Sequence, residues 1–179
     1  MRLQFAALAL LIGTVACSPV RVFEHSSTSD YEGTPKRIFI LNQLDTAQYS
    51  SLPQDFAAAI EPALAKCNIS VAVYRSNGME LDSEAKLKAA VRQFKPDAII
   101  GFEVTNRLLG IEVLRETYSV TLYDTALRRQ VWREVITTQN HQVGSPYRDD
   151  QVGSLIADQL LRTMAADNVI KTCPPFPPG

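Results

Sequence analysis

The sequence predicts an α/β domain built on a mixed five-stranded sheet, in the order β-α-β-α-β-β-β-α, with helices packed against it. Three observations carry this prediction. Short apolar or alternating runs interleave twice with segments of helical period, which implies crossover units and parallel strands. Two long β-rich runs then flank the loop Thr125-Ala126-Leu127-Arg128-Arg129, which implies an antiparallel hairpin. A last amphipathic stretch closes the domain, which spans residues 35–172.

In order along the chain, Lys36–Asn42 (KRIFILN) places Ile38, Phe39, Ile40 and Leu41 together, as in a strand buried on both faces. Ser51-Leu52-Pro53-Gln54 has the form of a capping box, with Ser51 as N-cap, Gln54 three residues on and Pro53 tolerated in the first turn. The helix that follows carries the stripe Phe56, Ile60, Ala63, Leu64 and Cys67; Pro62 predicts a kink or a shortening, and Asn68 a stop. Ile69–Arg75 alternates Ile69, Val71 and Val73 on one face and ends at the turn Ser76-Asn77-Gly78. Asp82 or Ser83 caps a second helix with Leu87, Val91 and Phe94 on one side, an exposed Glu84–Lys88 pair on another, and Pro96 beyond its end. Asp97–Thr105 is the third strand, and Glu112–Asp124 with Gln130–Thr138 forms the hairpin. After Gly144-Ser145-Pro146, Asp149 or Asp150 caps a last helix with the stripe Val152, Leu155, Ile156, Leu160 and Met164. The tail from Cys173 to Gly179 is too proline-rich to be helical.

The amino terminus reads as an export signal. Arg2 is followed from Phe5 to Ala16 by 12 mostly apolar residues with no charge, the length of a signal h-region and well short of the roughly 20 residues that span a bilayer. The segment ends Leu11-Ile12-Gly13-Thr14-Val15-Ala16-Cys17-Ser18 and resembles the bacterial lipobox, although Thr14 stands where leucine is usual. That resemblance implies removal of residues 1–16, lipidation of Cys17 and, with Ser18 rather than aspartate next, sorting to the outer membrane, facing the periplasm. The other reading is an ordinary signal peptide cut nearby, with Cys17 incidental. Two or three acyl chains at one cysteine, at about 0.8 kcal/mol per buried methylene, would hold a domain at the bilayer without help from the folded part. Residues 17–34 show no sustained period and read as a flexible tether.

Removing residues 1–16 takes away Arg2 and no acidic residue, so 18 basic and 19 acidic side chains become 17 and 19, a net charge of −2. No basic footprint for nucleic acid is present. With Cys17 acylated, Cys67 and Cys173 are left as a pair in an oxidising compartment, and a disulfide is the natural inference. A buried free Cys67 with an unpaired Cys173 is the alternative, because connectivity is not fixed by sequence.

Chemistry-bearing patterns are sparse. The two histidines are His25, in the tether, and His141, near the end of the last strand, and Asn140-His141-Gln142 has no metal-ligand spacing. Gly144-Ser145 and Gly153-Ser154 make no G-x-S-x-G elbow, and the scattered glycines make no phosphate loop. Asp149-Asp150 reads as a helix cap better than as a metal or acid/base pair. No metal, cofactor or enzymatic activity is expected.

In the hairpin, Tyr118-Ser119-Val120-Thr121-Leu122-Tyr123-Asp124, a turn, and Gln130-Val131-Trp132-Arg133 resemble a strand–turn–strand motif. The motif is found in the amino-terminal domain of the Tol-system propeller protein and in small envelope-assembly lipoproteins. Lys95-Pro96-Asp97-Ala98-Ile99-Ile100 resembles the same families, and the resemblance covers roughly residues 35 to 166. Such families often have a glycine-containing turn where this chain has Thr125–Arg129. Asp124 is suited to accept turn N–H groups, and Trp132 to cover the sheet beside a helix or, alternatively, to anchor a partner. The reading that follows is a non-catalytic binding or assembly module for an envelope partner, attached to the lipid bilayer through Cys17. The alternative is a carrier of lipid or another hydrophobic ligand.

Overall fold

The computed structural model describes residues 20–42, 52–75, 82–109, 113–141, 149–171 and 173. Its elements are β1 (Val20–Ser27), β2 (Arg37–Asn42), α1 (Leu52–Lys66), β3 (Ser70–Arg75), α2 (Ser83–Phe94), β4 (Ala98–Leu109), β5 (Val113–Asp124), β6 (Arg129–His141) and α3 (Asp149–Ala166). Cys17, the segment before it, Ser51, Ser76-Asn77-Gly78, Gly144-Ser145-Pro146 and the tail after Cys173 lie outside the described residues.

The strands form one sheet in the order β1-β6-β5-β4-β2-β3. β2 pairs in parallel with β3 and β4, whereas β4–β5, β5–β6 and β6–β1 are antiparallel. The sheet therefore has six strands rather than the five predicted, and the extra one comes from the stretch read as a tether. Val20–Ser27 has too few apolar residues to announce a strand. The edge of β6 offers it a ladder of backbone partners, running from Val20 opposite Thr138 to Ser27 opposite Trp132.

The order β4-β2-β3 reverses direction between successive crossovers, so α1 and α2 fall on opposite faces of the sheet. On one face, α1 and α3 cover Ile38, Ile40, Ala98, Ile100, Phe102, Tyr118, Val120, Leu122, Trp132 and Ile136, all buried. Phe56 of α1 meets Phe102 of β4 edge-on at 5.1 Å between ring centroids. On the other face, α2 lies over β2 and β3 through Phe94, whose ring is 6.0 Å from that of Phe39. No α2 residue is fully buried, because the helix covers only the narrow parallel end of the sheet.

α1 continues through Pro62 instead of stopping there. Ala58, whose carbonyl loses its helical partner to the proline, is on the exposed side of the helix, where water can satisfy it. The helix ends at Asn68, which takes φ 57°. The amides of Asn68 and Ile69 donate to the carbonyls of Ala65 and Leu64, and Leu64 and Ile69 are both buried. α3 ends the same way: Asn168 takes φ 58°, and the Asn168 and Val169 amides donate to Ala165 and Met164. Beside these two ends lies the Cys67–Cys173 disulfide, with 4.3 Å between Cα atoms.

Candidate functional site

The hairpin turn is organised by Asp124, whose Oδ1 accepts the backbone N–H groups of Ala126 at 2.9 Å and Leu127 at 2.8 Å. The chain then returns through Arg128, at φ 54°, so an arginine occupies the left-handed position for which glycine is the usual residue. Asp97, from the Lys95–Ile100 motif, plays a similar part at the parallel end. Its Oδ2 accepts the N–H of Lys36 at 2.8 Å and of Arg37 at 3.1 Å, fixing the start of β2 against β4. Tyr31 leans over Gly33, where an added Cβ would lie 2.6 Å from the Tyr31 ring. Burial and the nearby carboxylates of Asp124 and Asp97 push the Tyr31 phenol up to about 12.

Trp132 is 1% exposed and faces α3 from the covered side of β6. Its indole N–H donates to Asp167 Oδ2 at 2.7 Å, and the same oxygen is 2.8 Å from His25 Nδ1. One step along β6 on the same face, Glu134 is fully buried, opposite Val120 of β5 and His25 of β1. Glu134 Oε1 accepts a 2.8 Å bond from the Thr163 hydroxyl, while Oε2 is buried without a partner. Burial pushes the Glu134 carboxyl up to about 7, against the opposing effect of the Thr163 bond and of His25. The structure thus joins Trp132 to His25, Glu134 and Asp167, which sequence reasoning left apart. The available signal was the alternation Trp132, Glu134, Ile136, Thr138, which puts a carboxylate on the apolar face of a strand.

A second buried carboxylate is satisfied. Glu116 accepts Arg107 Nε at 2.7 Å and the Tyr118 hydroxyl at 2.6 Å. Among the described residues, no group of three or more His, Cys, Asp or Glu side chains is placed to hold a metal ion. His141 ends β6 opposite Val113, and Asp149-Asp150 opens α3. Gly153 and Ser154 lie within α3, where the Ser154 hydroxyl donates to the Gln151 carbonyl.

Two surfaces remain. No described helix covers the face of β4, β5 and β6 turned away from α1 and α3; short side chains of Thr117, Ser119 and Thr121 run down its centre. Glu103, Tyr123 and Arg133 are exposed around them. Beside it, a groove of about 420 Å³ between α2 and the sheet is lined by Phe39, Val73, Tyr74, Ala90 and Phe94. Arg37 closes one end, its guanidinium 4.7 Å over the Phe94 ring and donating to the Phe94 carbonyl.

No protein-family model matches the chain, and no curated protein is significantly similar to it. Among solved structures, the PelC dodecamer from Paraburkholderia phytofirmans is 12% identical, with a TM-score of 0.49 over 79% of this chain and 93% of that one. Lipoprotein GNA1162 from Neisseria meningitidis is 15% identical, with a TM-score of 0.44 over 75% and 98%. A minor lipoprotein from Acinetobacter baumannii is 15% identical, with a TM-score of 0.38 over 74% and 94%. At these levels neither family nor function passes from those proteins to this chain.

Proposed function

We propose that this chain is a bacterial envelope lipoprotein, anchored through acylated Cys17 at the outer membrane, whose periplasmic domain binds an envelope protein and catalyses no reaction. The apolar segment ending at Cys17, Ser18 after it and a disulfide suited to an oxidising compartment support the location. No helix among the described residues is long and apolar enough to cross a membrane. The observation that carries the binding role is the face of β4, β5 and β6 that no described helix covers. Thr117 and Thr121 are half-buried along it, Ser119 is buried and accepts a hydrogen bond from Arg133 Nε at 3.0 Å, and Glu103, Tyr123 and Arg133 are exposed around them. The hairpin resemblance to the Tol-system propeller protein's amino-terminal domain suggests an assembly partner.

A photoreactive side chain placed at Glu103 and, separately, at Tyr123 should capture the same envelope protein in intact cells. Lys66, exposed at the end of α1 on the other side, serves as control. Equal capture from Lys66, or none from the sheet face, rejects this surface.

The α2 groove favours a second reading, carriage of a hydrophobic ligand along Phe39, Ala72, Tyr74 and Phe94. Lipid copurifying with the protein, and lost on Ala90→Glu in the wall of the groove, supports that reading; a lipid-free preparation removes it.

A further inference from the structure

We propose that His25, Glu134 and Asp167 form a pH-sensitive clasp that holds β1 on β6, closed in mildly acidic solution and loosened as the pH rises. Three elements meet there. β1 contributes His25, β6 contributes Glu134, and the C-terminal end of α3 contributes Asp167. β1 is an edge strand with backbone partners on one side only, and its residues Glu24, His25, Ser26 and Ser27 are exposed. The 2.8 Å contact from His25 to Asp167 ties it to a helix as well as to β6.

The groups facing Glu134 decide the sign. α3 presents Asp167, together with the neutral Thr163 and Gln159; Arg162 and Asp158 pair with each other on that helix at 2.8 Å. β1 presents His25, while Glu24 stands opposite Val135. β5 presents Val120, and further along the same face Glu116, which Arg107 and Tyr118 already satisfy. His25 is thus the one basic side chain among these that faces Glu134 and Asp167 together. Protonated Glu134 leaves one carboxylate, on Asp167, to be shared by His25 and Trp132. Ionised Glu134 adds a second, with one oxygen buried and unpartnered.

The Glu134 carboxyl lies at about 7 in the closed form, against an ordinary 4.5. A raised acid binds its proton more tightly in the closed form, so its stabilisation is complete below the ordinary value and lost as pH climbs through the raised one. Release of β1 is the least costly relief, since it breaks one edge ladder and hydrates Glu134 without disturbing α1 or the β4–β5 pair. The open fraction of β1 rises on the order of a hundredfold between pH 4.5 and 7.5. If Cys17 is the anchor, as proposed above, opening frees residues 20–27 as a leash with a reach of about 25 Å, while the Asp30–Arg129 pair and the Lys171 bond to the Glu32 carbonyl hold the chain beyond it.

The test is amide hydrogen exchange on the full chain in detergent micelles, expressed as protection factors so that the intrinsic pH dependence cancels. Protection of β1 amides paired with β6 should fall about a hundredfold from pH 5 to pH 8, with β4 and β5 unchanged. Glu134→Gln, which keeps the acceptor for Thr163, should hold β1 protected at both pH values. Asp167→Asn keeps an acceptor for Trp132 and removes the like charge, so it should move the Glu134 carboxyl midpoint, read by carbon NMR, to lower pH. Flat protection in the wild type, an unchanged pH dependence in Glu134→Gln, or a Glu134 midpoint at its ordinary value would each overturn the clasp. None of these readouts depends on acylation of Cys17, so the clasp and the anchor fail separately.

Discussion

Asp124 illustrates how one side chain sets a loop that has no glycine. By accepting two N–H groups of the turn, it replaces backbone hydrogen bonds that Thr125–Arg128 could not make among themselves, and so it supports the left-handed Arg128. Asp124→Ala should therefore cost about 1–2 kcal/mol in urea unfolding, whereas Asp124→Asn, which retains the acceptor, should cost less than half of that. Equal losses in the two variants would show that charge, and not hydrogen bonding, holds the turn. The role of Asp124 was legible because acceptor and donors are neighbours in sequence. Glu134 and Asp167 were not, since each is an ordinary polar residue until β1, β6 and α3 converge.

At the scale of elements, α1 and α3 approach each other through Gly153. A Cβ there would lie 2.6 Å from the Leu52 carbonyl oxygen and 2.6 Å from the Phe56 amide nitrogen. Helix propensity alone favours Gly153→Ala by about 1 kcal/mol. Both obstructing atoms are backbone and cannot rotate away, so overpacking should win and leave a net loss of about 2 kcal/mol in thermal or denaturant unfolding. A more stable variant would mean that the helices separate freely. The apolar stripe Val152, Leu155, Ile156, Leu160 and Met164 was readable from its period. Val152, Ile156, Leu160 and Met164 are buried, and Leu155 is partly buried against them. That Gly153 marks the closest approach was not readable, because nothing local distinguishes a packing glycine from a tolerated one. The stop at Asn68 was readable, because asparagine accepts the left-handed turn that ends a helix.

For the molecule as a whole, the Cys67–Cys173 bond joins residues 106 apart and encloses most of the domain between the end of α1 and the segment after α3. In the chain-entropy model, closing a loop of that length restricts the unfolded chain by about 4.7 kcal/mol. Reduction, or Cys173→Ser, should lower the unfolding midpoint in urea by an amount equivalent to several kcal/mol; coincident transitions of oxidised and reduced protein would show that the bond contributes nothing. Cys17→Ala should move the protein from the membrane to the soluble fraction. Firm membrane association without an acyl mass would reject the anchor.

What the sequence determined by itself was local or counted: the helix stripes, the Asp124 turn, the parallel-then-antiparallel order and the pairing of Cys67 with Cys173. Period and turn chemistry are written within a few residues of one another, and with Cys17 set aside as the proposed anchor only two cysteines remain to pair. Tertiary structure alone decided that Val20–Ser27 is a strand, since its weak local preference is overruled by the open backbone edge of β6. It also decided that His25, Glu134, Asp167 and Trp132 meet at one site, with Glu134 and Trp132 buried and His25 at its exposed rim. Those residues lie as far as 142 positions apart, and only the closing of β1 and α3 on the same strand brings their charges within reach of each other.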